Sequence, residues 1–96
     1  RAQVEGAAVM ALTAAIKGGI TFDKGATVQS NFHNNPLVRI NEMPKVEVHI
    51  LANGGDKIKG VGEPGLPPFA PALCNAIFAA TGKRIRRLPF DINKIV

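Results

Sequence analysis

Lys57-Ile58-Lys59-Gly60-Val61-Gly62-Glu63-Pro64-Gly65-Leu66-Pro67-Pro68 sets one carboxylate in a loop of glycines and prolines just ahead of an apolar run. Glycines at 60, 62 and 65 permit a close backbone approach or a positive φ, while prolines at 64, 67 and 68 fix φ and stiffen the path. Glu63 is therefore expected to be held in place. Two readings of it stand side by side: a turn former or helix-start charge, and a carboxylate positioned for chemistry.

Outward toward the C-terminus, the pattern predicts a helix that starts between Pro68 and Pro71 and runs to Thr81, with Gly82 as its stop. Toward the N-terminus, Asn53-Gly54-Gly55-Asp56 reads as a turn. Before it, Lys45 to Ile50 alternates, with Val46, Val48 and Ile50 on one face, as in a half-buried antiparallel strand. Gln29 to Pro44 is a long irregular loop with a brief extended piece at Leu37-Val38-Arg39-Ile40. Ile20-Thr21-Phe22 and Ala26-Thr27-Val28 flank Asp23-Lys24-Gly25, which predicts a hairpin with a bulged turn. Residues 3 to 16 form the other helix, closed by Lys17-Gly18-Gly19. The fold class is α+β: one domain over residues 1–96, with two apolar helices packed on a small antiparallel sheet of three or four strands.

Ten of the thirteen residues from Val4 to Ile16 are apolar, and the second helix is interrupted only by Asn75 and Thr81. Helices apolar on nearly every side expect neighbours all round. A chain of 96 residues buries only ~60–65% of its unfolded surface. With 46% apolar residues and 20% charged, it carries more apolar surface than it can cover alone, so it reads as part of a larger body. It begins Arg1-Ala2-Gln3, and no signal peptide is read there. The longest apolar run, Ala7 to Ile16, is about half of the ~20 residues a membrane span needs.

The single cysteine, Cys74, excludes an internal disulfide and an iron–sulfur cluster held by this chain alone. His33 and His49 have no metal-ligand spacing around them, and His49 is expected to be exposed on the polar face of its strand. Gly60-Val61-Gly62-Glu63-Pro64-Gly65 begins like a dinucleotide fingerprint, but Glu63 would oppose a pyrophosphate and prolines interrupt the helix that should follow. The net charge of +5 comes largely from Lys83, Arg84, Arg86, Arg87 and Lys94. With no aromatic residue between Lys83 and Arg87 to stack bases, that cluster reads as a solvated tail or protein contact over a nucleic-acid surface.

Gln3-Val4-Glu5-Gly6-Ala7, then Val46-Glu47-Val48-His49, then Gly60 to Pro68 and an alanine-rich helix resemble the C-terminal end of the molybdopterin-binding large subunit of the xanthine oxidase family of molybdenum hydroxylases. Gln29 to His33, Pro36 to Arg39 and Asn75 to Arg86 are similar to the branch of isoquinoline 1-oxidoreductase beta subunits and related bacterial aldehyde dehydrogenases. The resemblance runs from Gln3 to about Pro89.

The resemblance implies that Glu63 is the catalytic general base, taking a proton from a molybdenum-bound hydroxide as a carbon beside a heteroatom is attacked. It implies that Gln3 lies close to the pterin cofactor and that Val61 and Gly62 form part of the pocket wall. The implied cofactor is molybdopterin in its cytosine dinucleotide form, held by the full-length enzyme and not by this chain alone. The implied partners are the rest of the large subunit, a small [2Fe–2S] subunit and an N-heterocycle or aldehyde substrate, in a bacterial cytoplasm or periplasm. The isolated 96-residue chain is expected to be inactive. The alternative is a self-associating, non-catalytic α+β interaction module, a homo-oligomer through its apolar helices.

Overall fold

A computed structural model describes residues 1–51, 54–55, 57 and 59–95. Helix α1 spans Ala2–Ile16, a hairpin pairs β1, Phe22–Asp23, with β2, Ala26–Thr27, and helix α2 spans Phe69–Thr81. A single 3-10 turn, Ile92–Lys94, lies near the C-terminus. The class is the α+β expected, with the two helices touching each other.

At the start of α1, Arg1 Nε donates to Glu5 Oε1 over 2.9 Å, and Glu5 lies where the helix dipole favours an acid. At its end, the N–H groups of Lys17 and Gly18 both donate to Thr13 O, at 2.8 and 2.7 Å. The glycine stop works differently from the expectation, because Gly18 does not take a left-handed φ. A methyl there would stand 3.1 Å from Ala14 Cα, so glycine lets the chain fold back onto the last turn.

The hairpin joins Phe22 to Thr27 and Asp23 to Ala26 in antiparallel register. Its loop is the two residues Lys24 and Gly25, with φ of 48° and 80°. Positive φ at both positions is what a type I′ turn requires, so the turn is tighter than the bulged one expected. Gln29 clamps the base: its Oε1 accepts from Thr21 N–H at 2.8 Å and its Nε2 donates to Thr21 Oγ1 at 2.9 Å.

Helix α2 has the expected bounds, and Gly82 closes it at φ 74° with its N–H on Phe78 O at 2.8 Å. Past it, Arg84 folds back. Its guanidinium lies 3.5 Å from the Phe78 ring centroid and Nη1 donates to Asn75 Oδ1 at 3.0 Å.

Lys45 to Ile50 is not a strand. Val46 and Val48 are half-buried while Lys45, Glu47 and His49 are exposed, but Ile50, expected on the face of the valines, is 68% exposed, so the alternation stops short of it. Lys45 Nζ lies 3.3 Å from Glu47 Oε1 and His49 Nε2 3.9 Å from Glu47 Oε2, along one face. What is missing is a second strand: no described segment pairs with it, and extended backbone without a ladder partner stays single. For the same reason the described sheet has two strands instead of three or four. Of the turn expected at Asn53-Gly54-Gly55-Asp56, Asn53 and Asp56 lie outside the described residues, as does Ile58 of the central stretch, while Gly54 has φ 66°.

The buried apolar residues are Ala7, Ala8, Ala11, Leu12 and Ala15 of α1 with Val38. Segment 37–44 is tied to α1 twice: Val38 N–H donates to Thr13 Oγ1 at 3.1 Å, and Lys17 Nζ reaches both oxygens of Glu42, at 2.7 and 2.8 Å. Phe90 N–H donates to Ala15 O at 3.0 Å, which brings the C-terminal segment to the end of α1. The radius of gyration, 16.1 Å, exceeds the roughly 12–13 Å of a closed domain of this length. The accessible surface of 7877 Å² compares with about 5,300 Å² for a self-contained chain of this mass. Much apolar surface is left uncovered, as the two apolar helices foretell. No helix among the described residues is long and apolar enough to cross a membrane.

Candidate active-site loop

The loop around Glu63 is a pair of successive turns that delivers the chain into α2. Leu66 N–H donates to Glu63 O at 2.9 Å, and Phe69 N–H donates to Leu66 O at 3.3 Å. Pro64 follows Glu63 and Pro67 follows Leu66, each at the second position of its turn, where the fixed φ of proline fits. Three prolines also remove three N–H groups that would otherwise need partners. The glycines do not take the left-handed conformation: none of Gly60, Gly62 and Gly65 has a positive φ. Their use is proximity.

Gly62 lies against the first turn of α1, where a methyl on it would stand 3.5 Å from Gln3 Oε1. One helical turn further on, a methyl on Gly65 would stand 3.1 Å from Ala7 Cβ and 4.0 Å from Val4 Cα. Gln3 and Ala7 share one face of α1 by their i, i+4 spacing. The loop thus lies along that face and touches it on both sides of Glu63. Gly60, Gly62, Glu63, Pro64 and Pro67 line an open groove of about 500 Å³. Glu63 is exposed in it, and among the described residues its side chain has no ion-pair partner.

Of the residues singled out in the sequence, Gly62 lies against Gln3 and lines the groove with Glu63. Val61 is 58% exposed and does not line the groove. His49 is exposed next to Glu47, and His33 is exposed in the loop after the hairpin. Lining by Gly60, Pro64 and Pro67, and the touch of Gly65 on Ala7, were not read from the sequence. The available signal was spacing, i, i+4 on the helix against i, i+3 on the loop.

The donor set fits the wall of a cofactor site. It holds one carboxylate, one exposed amide able both to donate and accept, and glycine backbone open to close approach. Among the described residues no group of three His, Cys, Asp or Glu side chains could hold a metal ion. A metal seated here would therefore be held by its own organic ligand and by other protein segments.

No family model matches the chain. It is 34% identical over 89 residues to the isoquinoline 1-oxidoreductase subunit beta of Brevundimonas diminuta, covering 93% of this chain and 11% of that protein. It is 33% identical over 103 residues to the aldehyde oxidoreductase molybdenum-binding subunit PaoC of Escherichia coli K12, covering all of this chain and 14% of that one. The chain matches a segment of a molybdenum-binding oxidoreductase subunit. It is also 35% identical over 89 residues to a membrane-bound aldehyde dehydrogenase of Gluconacetobacter polyoxogenes, named for pyrroloquinoline quinone, covering 93% of this chain and 11% of that protein. The chain spans about a tenth of the length of these relatives.

Proposed function

We propose that the chain is the C-terminal part of the molybdopterin-binding subunit of a xanthine oxidase family hydroxylase, and that Glu63 is the general base in oxidation of an N-heterocycle or an aldehyde. The observation that carries this reading is that Gly62, which with Glu63 lines the open groove, lies against Gln3 of α1, a residue far from it in sequence. The relatives named for isoquinoline and for aldehydes support the substrate class.

The molybdenum cofactor, bound as the cytosine dinucleotide of molybdopterin, would supply oxygen transfer and two-electron redox chemistry. This chain's own part is positioning and proton transfer. The turn from Glu63 to Leu66, stiffened by Pro64, fixes the Glu63 backbone, and from there the exposed carboxylate accepts the proton released as the substrate carbon is hydroxylated. Gly60 and Gly62 leave the groove floor free of side chains, so a flat ligand can come against backbone. Gln3 offers an amide to the heterocyclic edge of the cofactor, and Val61 with Gly62 forms part of the wall once the rest of the subunit closes over it. The remaining large-subunit segments hold the cofactor and a small [2Fe–2S] subunit takes the electrons, so the isolated chain is inactive.

The test is Glu63→Gln in the full-length enzyme, which keeps size and hydrogen bonding and removes the base. Turnover is expected to fall by ~10² or more with molybdenum content retained. Near-normal turnover would overturn the assignment, and a holoenzyme carrying a quinone instead of molybdenum would overturn the cofactor.

A second reading is favoured by the exposed apolar surface, with Phe22 73% and Phe32 76% exposed: released from the rest of the subunit, the chain is a self-associating, non-catalytic module.

A further inference from the structure

We propose that Gly65 is a positioning residue, and that its contact with Ala7 sets the register of the Glu63 turn along α1. This rests on the reading of Glu63 as the base. Gly65 is third in the turn closed by Leu66 N–H on Glu63 O, yet its φ lies outside the left-handed region, so the backbone itself does not demand glycine there. What demands it is space. A Cβ on Gly65 would meet Ala7 Cβ at 3.1 Å, closer than ordinary van der Waals contact, with Val4 Cα at 4.0 Å behind it.

Ala7 is buried and belongs to a rigid helix, so it cannot swing away as the tip of a long side chain would. Any side chain at 65 must therefore lift the loop. The other end of the turn is referenced to the same helix face, where Gly62 meets Gln3. Glu63 and Pro64 lie between these two contacts, so lifting one end tilts the carboxylate relative to Gln3. A base displaced by a fraction of an ångström still binds substrate beside it but reaches its proton less often, so the effect falls on kcat ahead of KM.

The experiment uses the full-length holoenzyme with Gly65→Ala, Ala7→Gly and the double variant. Gly65→Ala should speed hydrogen–deuterium exchange in the peptide spanning 60–69, whose turns are closed by the Leu66 and Phe69 amides. It should lower kcat roughly tenfold with KM within about twofold and cofactor content unchanged. Adding Ala7→Gly removes the methyl that is struck and should restore both exchange and kcat. Ala7→Leu, which places bulk at the same contact from the helix side and keeps helix propensity, should reproduce the Gly65→Ala pattern if that variant folds poorly. Wild-type exchange and kcat in Gly65→Ala would overturn the proposal, as would a double variant no better than Gly65→Ala alone. Full activity of Glu63→Gln would remove the base and leave the exchange measurement as the test of the register.

Discussion

The side-chain amide of Gln3, on the first turn of α1, stands against Gly62, far from it in sequence, with its Oε1 3.5 Å from where a methyl on that glycine would sit. The helix start and the carboxylate loop are thereby in contact. Among the described residues the Gln3 side chain has no hydrogen-bond partner, so its donor and acceptor are free for a ligand.

Replacing Gln3 with alanine should therefore reveal a ligand contact more than a structural one. The amide is exposed and holds nothing else in place, so the cofactor-free protein should keep its stability within about 0.5 kcal/mol, as at ordinary surface positions. Cofactor retention in the full-length subunit should weaken by the several-fold that a lost hydrogen bond of about 1 kcal/mol implies. Cofactor content measured on gel-filtered protein checks this, and undiminished retention would remove Gln3 from the site.

The tie between segment 37–44 and α1 depends on pH. The hydrogen bond from Lys17 holds the Glu42 carboxyl below its ordinary range, helped by the Arg39 N–H at 2.7 Å and by both positive charges. A depressed carboxylate contributes stability above its unfolded value, about 4.3, and loses it as pH falls through the lower folded value. Protection of residues 37–44 from hydrogen exchange, measured against the intrinsic rate at each pH, should fall as pH drops below the ordinary glutamate value of 4.5, and Lys17→Met should flatten that dependence. Protection that does not change with pH in the parent protein would contradict the account.

The isolated 96-residue chain should self-associate. Ile40 and Leu51 are 96% and 94% exposed, and with the open faces of the two helices they leave apolar patches that water disfavours. Light scattering over a concentration series should show mass rising with concentration; a folded monomer throughout would mean that these faces need no partner.

The helices were legible because their signals are local. Pro68 and Gly82 bracket α2, and the Val4 to Ile16 run marks α1, with little help from tertiary contacts. The hairpin at Lys24-Gly25 was legible for the same reason, although the tighter turn was not, since loop length and register are set by the pairing itself. Lys45 to Ile50 shows the converse. Its alternation holds from Lys45 to His49 and fails at Ile50, and a strand exists only by its neighbour, which none of the described segments supplies. The Glu63 loop was conspicuous as composition, while its seat on α1 rests on Ala7 and Gly65 meeting, a contact between two small residues that no local pattern announces. Gln3 entered through resemblance to a family, and geometry then put it beside Gly62.

The central claim is that Glu63 works at the metal. A crystal structure of the full-length holoenzyme, with the metal located by its anomalous signal at the molybdenum absorption edge, tests it most directly. The account predicts molybdenum in the groove, with the Glu63 carboxylate within hydrogen-bond reach, ~2.6–3.2 Å, of one of its oxygen ligands. A metal seated elsewhere, with Glu63 facing only solvent or protein, would contradict it.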